Sequence, residues 1–448
     1  MAAEPATIPV AFWQIFKDRR NTMDILDKID FPPMIRVRQR FDPTRLRDLV
    51  GAILAQIRAL GPKLPIRPGQ SVALACPSRG LADYPLIVKS VVTGLKELKL
   101  KPFIIPAMGS HGAATASGQE KVLNDLGIAE STVGAPIRSN LEVVTVGKTK
   151  EGIPVNIDRL AHESDHIVPL NRIKEHTGFE ADIQSGLMKL MVIGLGKTEG
   201  AKRYHQAILS YGYHDVILSG ARTVLQNCSI LFGVGSIENA YHQVADVGVF
   251  KKEEIEGRER AFLAKYREIK ARLPFEFAHV LMIEEIGKEI SGHGFDTNVV
   301  GRIGSYLGPD PEKPVVKRIM VSDLTDKTNG NASSVSTADV ITRRLFNKMD
   351  YQKTAINTIV GAQIELGKTP LIMENDCDAL RVCMMAVGLT PYAEQKIMRI
   401  KNTLYLDEVD ISQAYVPELA DRNDLEIIKP ARSLKLDKNG YFSRFGDD

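Results

Sequence analysis

The sequence predicts an α/β fold of two domains, each with a largely parallel sheet flanked by helices. Its 448 residues are more than one compact core usually accommodates. Short, nearly continuous apolar runs such as SVALACP are typical of strands that are covered on both faces. Segments with helical periodicity separate these runs, and strands that alternate with helices indicate a mostly parallel sheet.

The first predicted domain comprises residues 1–272. After SVALACP, the apolar residues Ile87, Val91, Leu95 and Leu98 recur at helical spacing and therefore share one helix face. FIIPAM is predicted to be a second buried strand, GSHGAAT a loop and ASGQEKVLNDLGI a helix. Further strands are predicted at EVVTVG, PVNI and HIVPLN.

The second predicted domain comprises residues 273–448. The charged segment KKEEIEGRERAFLAKYREIKARLP is predicted to be a helix that stops at Pro274, and a strand, HVLMIEEIG, follows shortly afterwards. VVKRIMVSDL and TPLIMEND are predicted to be strands, and STADVITRRLFNKM a helix. The change from the long charged helix to a new series of strands places the domain boundary here.

Composition and charge exclude several classes of protein. Hydrophobic residues make up 44% of the chain and charged residues 25%, as in ordinary globular proteins. The formal net charge is only +3 and the basic residues are scattered, so no nucleic-acid partner is indicated. The first residues do not resemble a secretory signal, and no apolar run approaches the roughly 18 residues of a membrane helix. A cytoplasmic protein with no membrane partner, and with its four cysteines as free thiols, is therefore expected.

Charged side chains and histidines follow three predicted strands, where ligands collect in open α/β sheets. CPSRG supplies Arg79, AMGSHG supplies His111, and PLNRIKEHTGF supplies Arg172, Lys174 and His176. Each has an ordinary alternative, since such histidines are often turn or core residues and Arg79 could pair with a carboxylate. Their common position after strands nevertheless predicts one shared site.

The stretch SGLMKLMVIGLGKTEGAKRYH raises the question of a phosphate-binding loop. A P-loop requires G-x-x-x-x-G-K-[ST] after a strand. Gly196, Lys197 and Thr198 match its end, but Met191 occupies the position of the first glycine. The dinucleotide pattern G-x-G-x-x-G also fails, because Gly200 comes one position too late. Neither nucleotide motif is supported.

Lys189 and His205 lie at the two ends of this stretch, with a glycine-rich turn between them. Apolar residues surround Lys189, and burial would depress its pKa and make the amine nucleophilic. The alternative is a lysine whose stem lies on apolar surface while its ammonium group reaches water. The residues themselves leave both alternatives open, and His205 is equally ambiguous.

Several motifs together resemble the lactate racemase (LarA-like) family of nickel-pincer nucleotide enzymes, and in particular a divergent branch of it. These motifs are PSRG, GSHG, NRIKEHTGF, SGLMKLMVIGLGKTEGAKRYH, EIGKEISGHGFDTNVVGR and TDKTNGNASSVSTADVITRRL. The resemblance implies a cofactor-binding N-terminal domain and a C-terminal domain that closes over the active site. It also implies a covalent nickel-pincer nucleotide, a pyridinium thioamide thiocarboxylic acid mononucleotide that binds nickel.

The resemblance assigns a role to each candidate residue. Lys189 matches the attachment lysine, His205 the nickel ligand, and His111 and His176 the two acid/base histidines. Arg79 matches a position near the anion of the substrate or cofactor. Nickel accepts sulfur and imidazole ligands in square-planar geometry, which suits such a pincer and one histidine. Further substrate contacts are expected from the second domain, at Lys327, Thr297 and Asn331.

The function expected from the resemblance is an isomerase, a racemase or epimerase that inverts C2 of a 2-hydroxy acid by proton-coupled hydride transfer to the cofactor. EADIQ, inserted between His176 and Lys189, puts lactate itself in doubt, and a longer sugar acid such as an aldonate is an alternative. The expected partners are the small-molecule acid and the enzymes that make the cofactor. The alternative functions are an NAD-dependent 2-hydroxy acid dehydrogenase and a non-catalytic nickel- or nucleotide-binding homologue.

Overall fold

The computed structural model describes residue 26 and residues 29–447. The strands in this part of the chain are β1 (Met34–Gln39), β2 (Ser71–Cys76), β3 (Lys101–Pro106), β4 (Val143–Lys148), β5 (Pro154–Asp158), β6 (His166–Arg172), β7 (Phe232–Glu238), β8 (Val244–Lys251), β9 (Phe277–Ile286), β10 (Val315–Leu324), β11 (Val340–Thr342), β12 (Leu371–Met373), β13 (Ile397–Ile400), β14 (Glu408–Ser412) and β15 (Leu425–Arg432).

The α-helices of the same residues alternate with these strands in sequence. They are α1 (Leu49–Leu60), α2 (Tyr84–Glu97), α3 (Ala116–Asp125), α4 (Glu130–Val133), α5 (Arg159–Glu163), α6 (Leu187–Lys189), α7 (Lys197–Tyr211), α8 (Tyr213–Asn227), α9 (Ile255–Ile269), α10 (Thr297–Val300), α11 (Arg343–Lys348), α12 (Tyr351–Val360) and α13 (Asp376–Met385). A π-helical turn, Leu190–Gly194, continues α6. None of these helices is long and apolar enough to cross a membrane.

Two sheets organise the structure. The smaller has the order β3-β2-β6-β7-β8, and all its pairs are parallel except β7 with β8. The larger has the order β12-β11-β10-β9-β13-β14-β1-β15. Its strands from β12 to β13 are parallel, and the remaining pairs are antiparallel. The prediction of an α/β fold with largely parallel, helix-flanked sheets is confirmed.

Both faces of the smaller sheet are buried, as its continuous apolar strands predict. Along β2, Ala73 and Ala75 pack into one hydrophobic cluster together with α7 and α8. Val72 and Leu74 point the opposite way, into a second cluster together with α1 and α2. Because successive side chains of a strand alternate between faces, one strand serves both clusters. Helices therefore cover the sheet on both sides and leave its edge free for ligands.

Three features of the fold differ from the expectations. The strands β4 and β5 form a separate antiparallel pair and do not extend the smaller sheet. The segment STADVITRRLFNKM was predicted to be helical, but that is wrong for Val340–Thr342, which is β11. Its β-branched residues pair in parallel with β10 and β12, and the helix begins only at Arg343. Finally, β1 joins the larger sheet, whose other strands all follow residue 276. The division of domains at residues 272 and 273 stays a prediction.

Candidate active site

The candidate site is a cavity of about 610 Å³ at the carboxyl ends of strands in the smaller sheet. Arg79 follows β2, His111 follows β3, and His176 follows β6. All three line the cavity, and so do Lys189 and His205. The structure therefore brings together the five residues predicted for the first domain. A cavity of this volume is large enough for a small-molecule ligand.

Lys189 ends the short helix α6 and precedes the π-helical turn. Burial, followed by the positive charges of Arg79 and Lys174, lowers the pKa of its ammonium group to about 7. The Nζ atom lies 5.7 Å from the centre of the Tyr213 ring. Of the alternatives left open by the sequence, the structure favours the buried lysine, whose amine is about half neutral near pH 7.

A turn at residues 195–196 separates Lys189 from His205. An uninterrupted α-helix would place two residues sixteen positions apart (205 − 189) at a distance of about 24 Å. Instead, the chain turns before α7 begins at Lys197, and both side chains line the same cavity. The π-helical turn, and not a strand, directly precedes Lys197 and Thr198, so the GLGKT sequence lacks the strand that a P-loop requires.

Two residues of the loop after β2, Ser78 and Arg79, contact the His111 ring. Its Nδ1 lies 2.6 Å from the Ser78 hydroxyl, and its Nε2 lies 3.5 Å from the Arg79 guanidinium. Since a guanidinium can only donate, Nε2 carries the lone pair in this arrangement. The ring presents accessible surface to the cavity, yet the enclosing protein removes it from bulk water. Burial, followed by the charges of Arg79 and Lys189, lowers the His111 pKa to about 3, so the ring is neutral.

His176 has the opposite hydrogen-bonding arrangement. Its Nδ1 accepts from the backbone N–H of Gly178 at 2.9 Å, so the proton lies on Nε2, 3.3 Å from the Tyr213 hydroxyl. The ring also packs against Phe179, with centroids 4.7 Å apart. Burial, with the charge of Lys189, holds the His176 pKa well below its ordinary value. The two histidines therefore present a lone pair and an N–H, respectively.

Two cavity residues from the predicted second domain were not identified as site residues by the sequence analysis. Lys288 and His293 lie in the loop after β9 and line the cavity. Burial, then nearby positive charge, lowers the Lys288 pKa to about 8 and the His293 pKa to about 4. The His293 ring centroid lies 6.4 Å from that of His176. The sequence contained a signal for them, because SGHG follows a strand in the same way as GSHG.

Carboxylates neutralise some of the cavity's cations but not all. Arg172 binds Glu238 at 2.6 Å. Among the residues that the structure describes, no salt bridge joins Arg79, Lys189 or Lys288 to a carboxylate. Lys288 donates instead to the neutral Asn357 side chain and to a backbone carbonyl. A cavity with uncompensated cations favours an anionic ligand.

The three residues predicted in the second domain do not line the cavity. Thr297 is buried, and its hydroxyl donates to the Thr177 carbonyl at 2.7 Å, behind the loop that carries His176. Asn331 accepts a hydrogen bond from its neighbour Ser333, and Lys327 is exposed. In this arrangement, Thr297 supports the cavity wall, while Lys327 and Asn331 lie outside it.

Protein side chains alone do not form a metal site in residue 26 and residues 29–447. No group of three or more histidine, cysteine, aspartate or glutamate side chains is placed to hold a metal ion there. Cys76, Cys228 and Cys383 are buried free thiols.

The part of the chain that carries these cavity residues is similar to a known protein domain. Residues 74–214 match the family model of the lactate racemase N-terminal domain. The chain is similar to the solved structure of the lactate racemase apoprotein from Thermoanaerobacterium thermosaccharolyticum, with 13% sequence identity and a TM-score of 0.49 over 82% of this chain and 93% of that chain. No curated protein sequence matches. The matched residues include all five cavity residues predicted for the first domain, so this part of the chain is similar to the lactate racemase N-terminal domain.

Proposed function

We propose that the protein is a racemase or epimerase that inverts C2 of a 2-hydroxy acid, with a nickel-pincer nucleotide bound covalently to Lys189. One observation carries the proposal. A buried lysine with a pKa of about 7 shares a cavity with two histidines that burial keeps neutral. Enzymes concentrate such perturbed groups where they carry out chemistry.

The residues of the cavity fit this cofactor. A neutral Lys189 amine is the form that can bond to a thiocarboxyl group, and His205 offers an imidazole in the same cavity. Arg79 and Lys288, which have no carboxylate partner among the described salt bridges, suit the phosphate of a mononucleotide or the carboxylate of an acid. When bound, the cofactor supplies a reversible hydride acceptor, which the side chains of the cavity cannot supply.

The chain's own residues would bind the substrate and move its hydroxyl proton. A cation such as Arg79 orients the carboxylate. His111 accepts the hydroxyl proton at Nε2 when Arg79, which donates to that lone pair at 3.5 Å in this structure, turns to the substrate carboxylate. His176, which lies on another loop, presents its Nε2 proton beside Tyr213 and donates it in a hydrogen bond to the substrate oxygen. Inversion requires such groups on two sides of one carbon, and two different loops supply them.

A screen of single enantiomers of 2-hydroxy acids and aldonic acids tests the proposal. Protein loaded with cofactor is incubated with each acid, and loss of optical purity and loss of deuterium from C2 are followed. A racemase changes the configuration of at least one acid without added NAD. If every acid keeps its configuration and label, the protein is a binder; if turnover needs NAD, it is a dehydrogenase.

A further inference from the structure

Lys197, the lysine of the GLGKT sequence, is buried without contributing to the wall of the cavity. Its side chain is 0% exposed, and so is that of Asp158, with which it forms a salt bridge of 2.8 Å. The same Nζ donates to the carbonyl of Pro106 at 2.6 Å and to Oε1 of Gln119 at 3.2 Å. One ammonium group thus joins the ends of β3 and β5, α3 and the start of α7.

Gln119 extends this network to the loop that carries His111, residues 107–115. Its Nε2 donates to the Gly109 carbonyl at 2.8 Å and to the His111 carbonyl at 3.3 Å. Gln119 is fully buried, so these bonds have no competition from bulk water. The backbone adds a further connection, because the N–H of Gly109 donates to the carbonyl of Gly194.

This network is an inefficient way to stabilise a fold. A buried ion pair often contributes less to stability than apolar residues of similar size, because both charges lose their hydration. Lys197 also has a left-handed backbone, with φ of 53°, which disfavours a side chain of its size. The ion pair of Lys197 and Asp158 does, however, fix the orientation of the side chains that it joins. Its bonds end on the loop with His111, and Lys197 begins the helix that carries His205.

We propose that Lys197 and Gln119 are positioning residues that set the place of His111 in the cavity. The ion pair with Asp158 orients the lysine, the lysine orients the Gln119 amide, and the amide holds the loop. The proposal assumes the catalytic role proposed above for His111. Its test does not depend on that role, because the position of the loop can be measured in protein without cofactor.

Gln119→Leu is the decisive variant, since Lys197→Met would leave Asp158 buried without its partner and could prevent folding. Amide hydrogen exchange of residues 107–115 should accelerate about tenfold or more, because two carbonyls lose their donor. The NMR signal of the His111 ring should shift, and its pKa should rise toward the ordinary value. Gln119→Glu should act in the same direction, because an oxygen replaces the donating nitrogen.

Gln56→Leu is the matched control. Gln56 also binds backbone groups in the first domain, donating to the carbonyls of Ala52 and Val247, but neither carbonyl belongs to residues 107–115. This variant should lose stability and leave residues 107–115 and the His111 signal unchanged. If Gln119→Leu loses stability in the same way while exchange in residues 107–115 stays as in the wild type, the positioning role is wrong. Such a result would leave the proposed racemase function intact.

Discussion

Glu259 holds the segment that carries Lys189, and its removal should change stability in a pH-dependent way. The residue lies on α9, is 0% exposed, and accepts the backbone N–H of Met188 at 2.9 Å. Its other oxygen has no hydrogen-bond partner. Burial raises the Glu259 pKa to about 7, although backbone donors at Leu187 and Met188 oppose the rise. Glu259→Gln keeps an oxygen for Met188 and removes the charge.

The size of the effect follows from the pKa shift. The Glu259 carboxyl titrates near 4.5 in the unfolded chain and near 7 in the fold. A pKa that is raised by folding contributes stability that is fully present below 4.5 and is lost as the pH rises through 7. At 1.36 kcal/mol per pKa unit, the wild type loses about 3 kcal/mol from this group between about pH 4 and about pH 8.5. The amide does not titrate, so the variant avoids that loss.

Urea unfolding at a series of pH values measures this difference. Glu259→Gln should match the wild type near pH 4 and become more stable than the wild type by up to about 3 kcal/mol near pH 8.5. Glu256→Gln is the control on the same helix, because the Arg222 and Arg260 side chains hold the Glu256 pKa at about 2. It should lose stability at neutral pH. Parallel curves for Glu259→Gln and the wild type would refute a buried, titrating carboxyl at this position.

Three further predictions concern the cavity. With a pKa of about 7, roughly three quarters of Lys189 is neutral near pH 7.5, against roughly one in a thousand for an ordinary lysine. An amine-acylating reagent should therefore label Lys189 in cofactor-free protein with a midpoint near pH 7, as peptide mass spectrometry would show, while the ion-paired Lys197 stays unlabelled. Folding lowers the His111 pKa from 6.5 to about 3, so the contribution of this group to stability is lost as the pH falls through that range. The melting temperature of His111→Gln should therefore fall less than that of the wild type between about pH 6.5 and about pH 3. His205→Ala should lose nickel from cofactor-loaded protein by elemental analysis, whereas His111→Ala and His176→Ala should keep it and lose turnover.

Local patterns were sufficient to predict three of the five strands of the smaller sheet, β2, β3 and β6, and the polar residues that follow them, whereas β7 and β8 were not predicted. Continuous apolar strands identify a sheet that is buried on both faces, and the residue types after β2, β3 and β6 fall at one sheet edge whatever the details of packing. Arg79, His111 and His176 therefore share a cavity. The roles expected for Lys189 and His205 came from the family resemblance, because the residues alone left both side chains ambiguous.

Long-range pairing and buried charge were not predictable in the same way. The strand β1 joins partners that lie more than 360 residues away, and no local pattern encodes that pairing. The sequence of Val340–Thr342 is compatible with a helix, and only its pairing with the neighbouring strands β10 and β12 makes it a strand. Glu259 was not singled out from the many charged residues of its helix, although Ile255, Phe262 and Leu263 share its helix face and are buried. A carboxyl on an apolar stripe was the available signal.

The Lys189 side chain tests the central claim most directly. Protein co-produced with the cofactor-making enzymes is digested, and the peptide that contains Lys189 is weighed by mass spectrometry. The proposal predicts a covalent adduct on this lysine, accompanied by nickel, and predicts its absence from Lys189→Ala. An unmodified Lys189 under conditions in which a known family member is loaded would contradict the proposal.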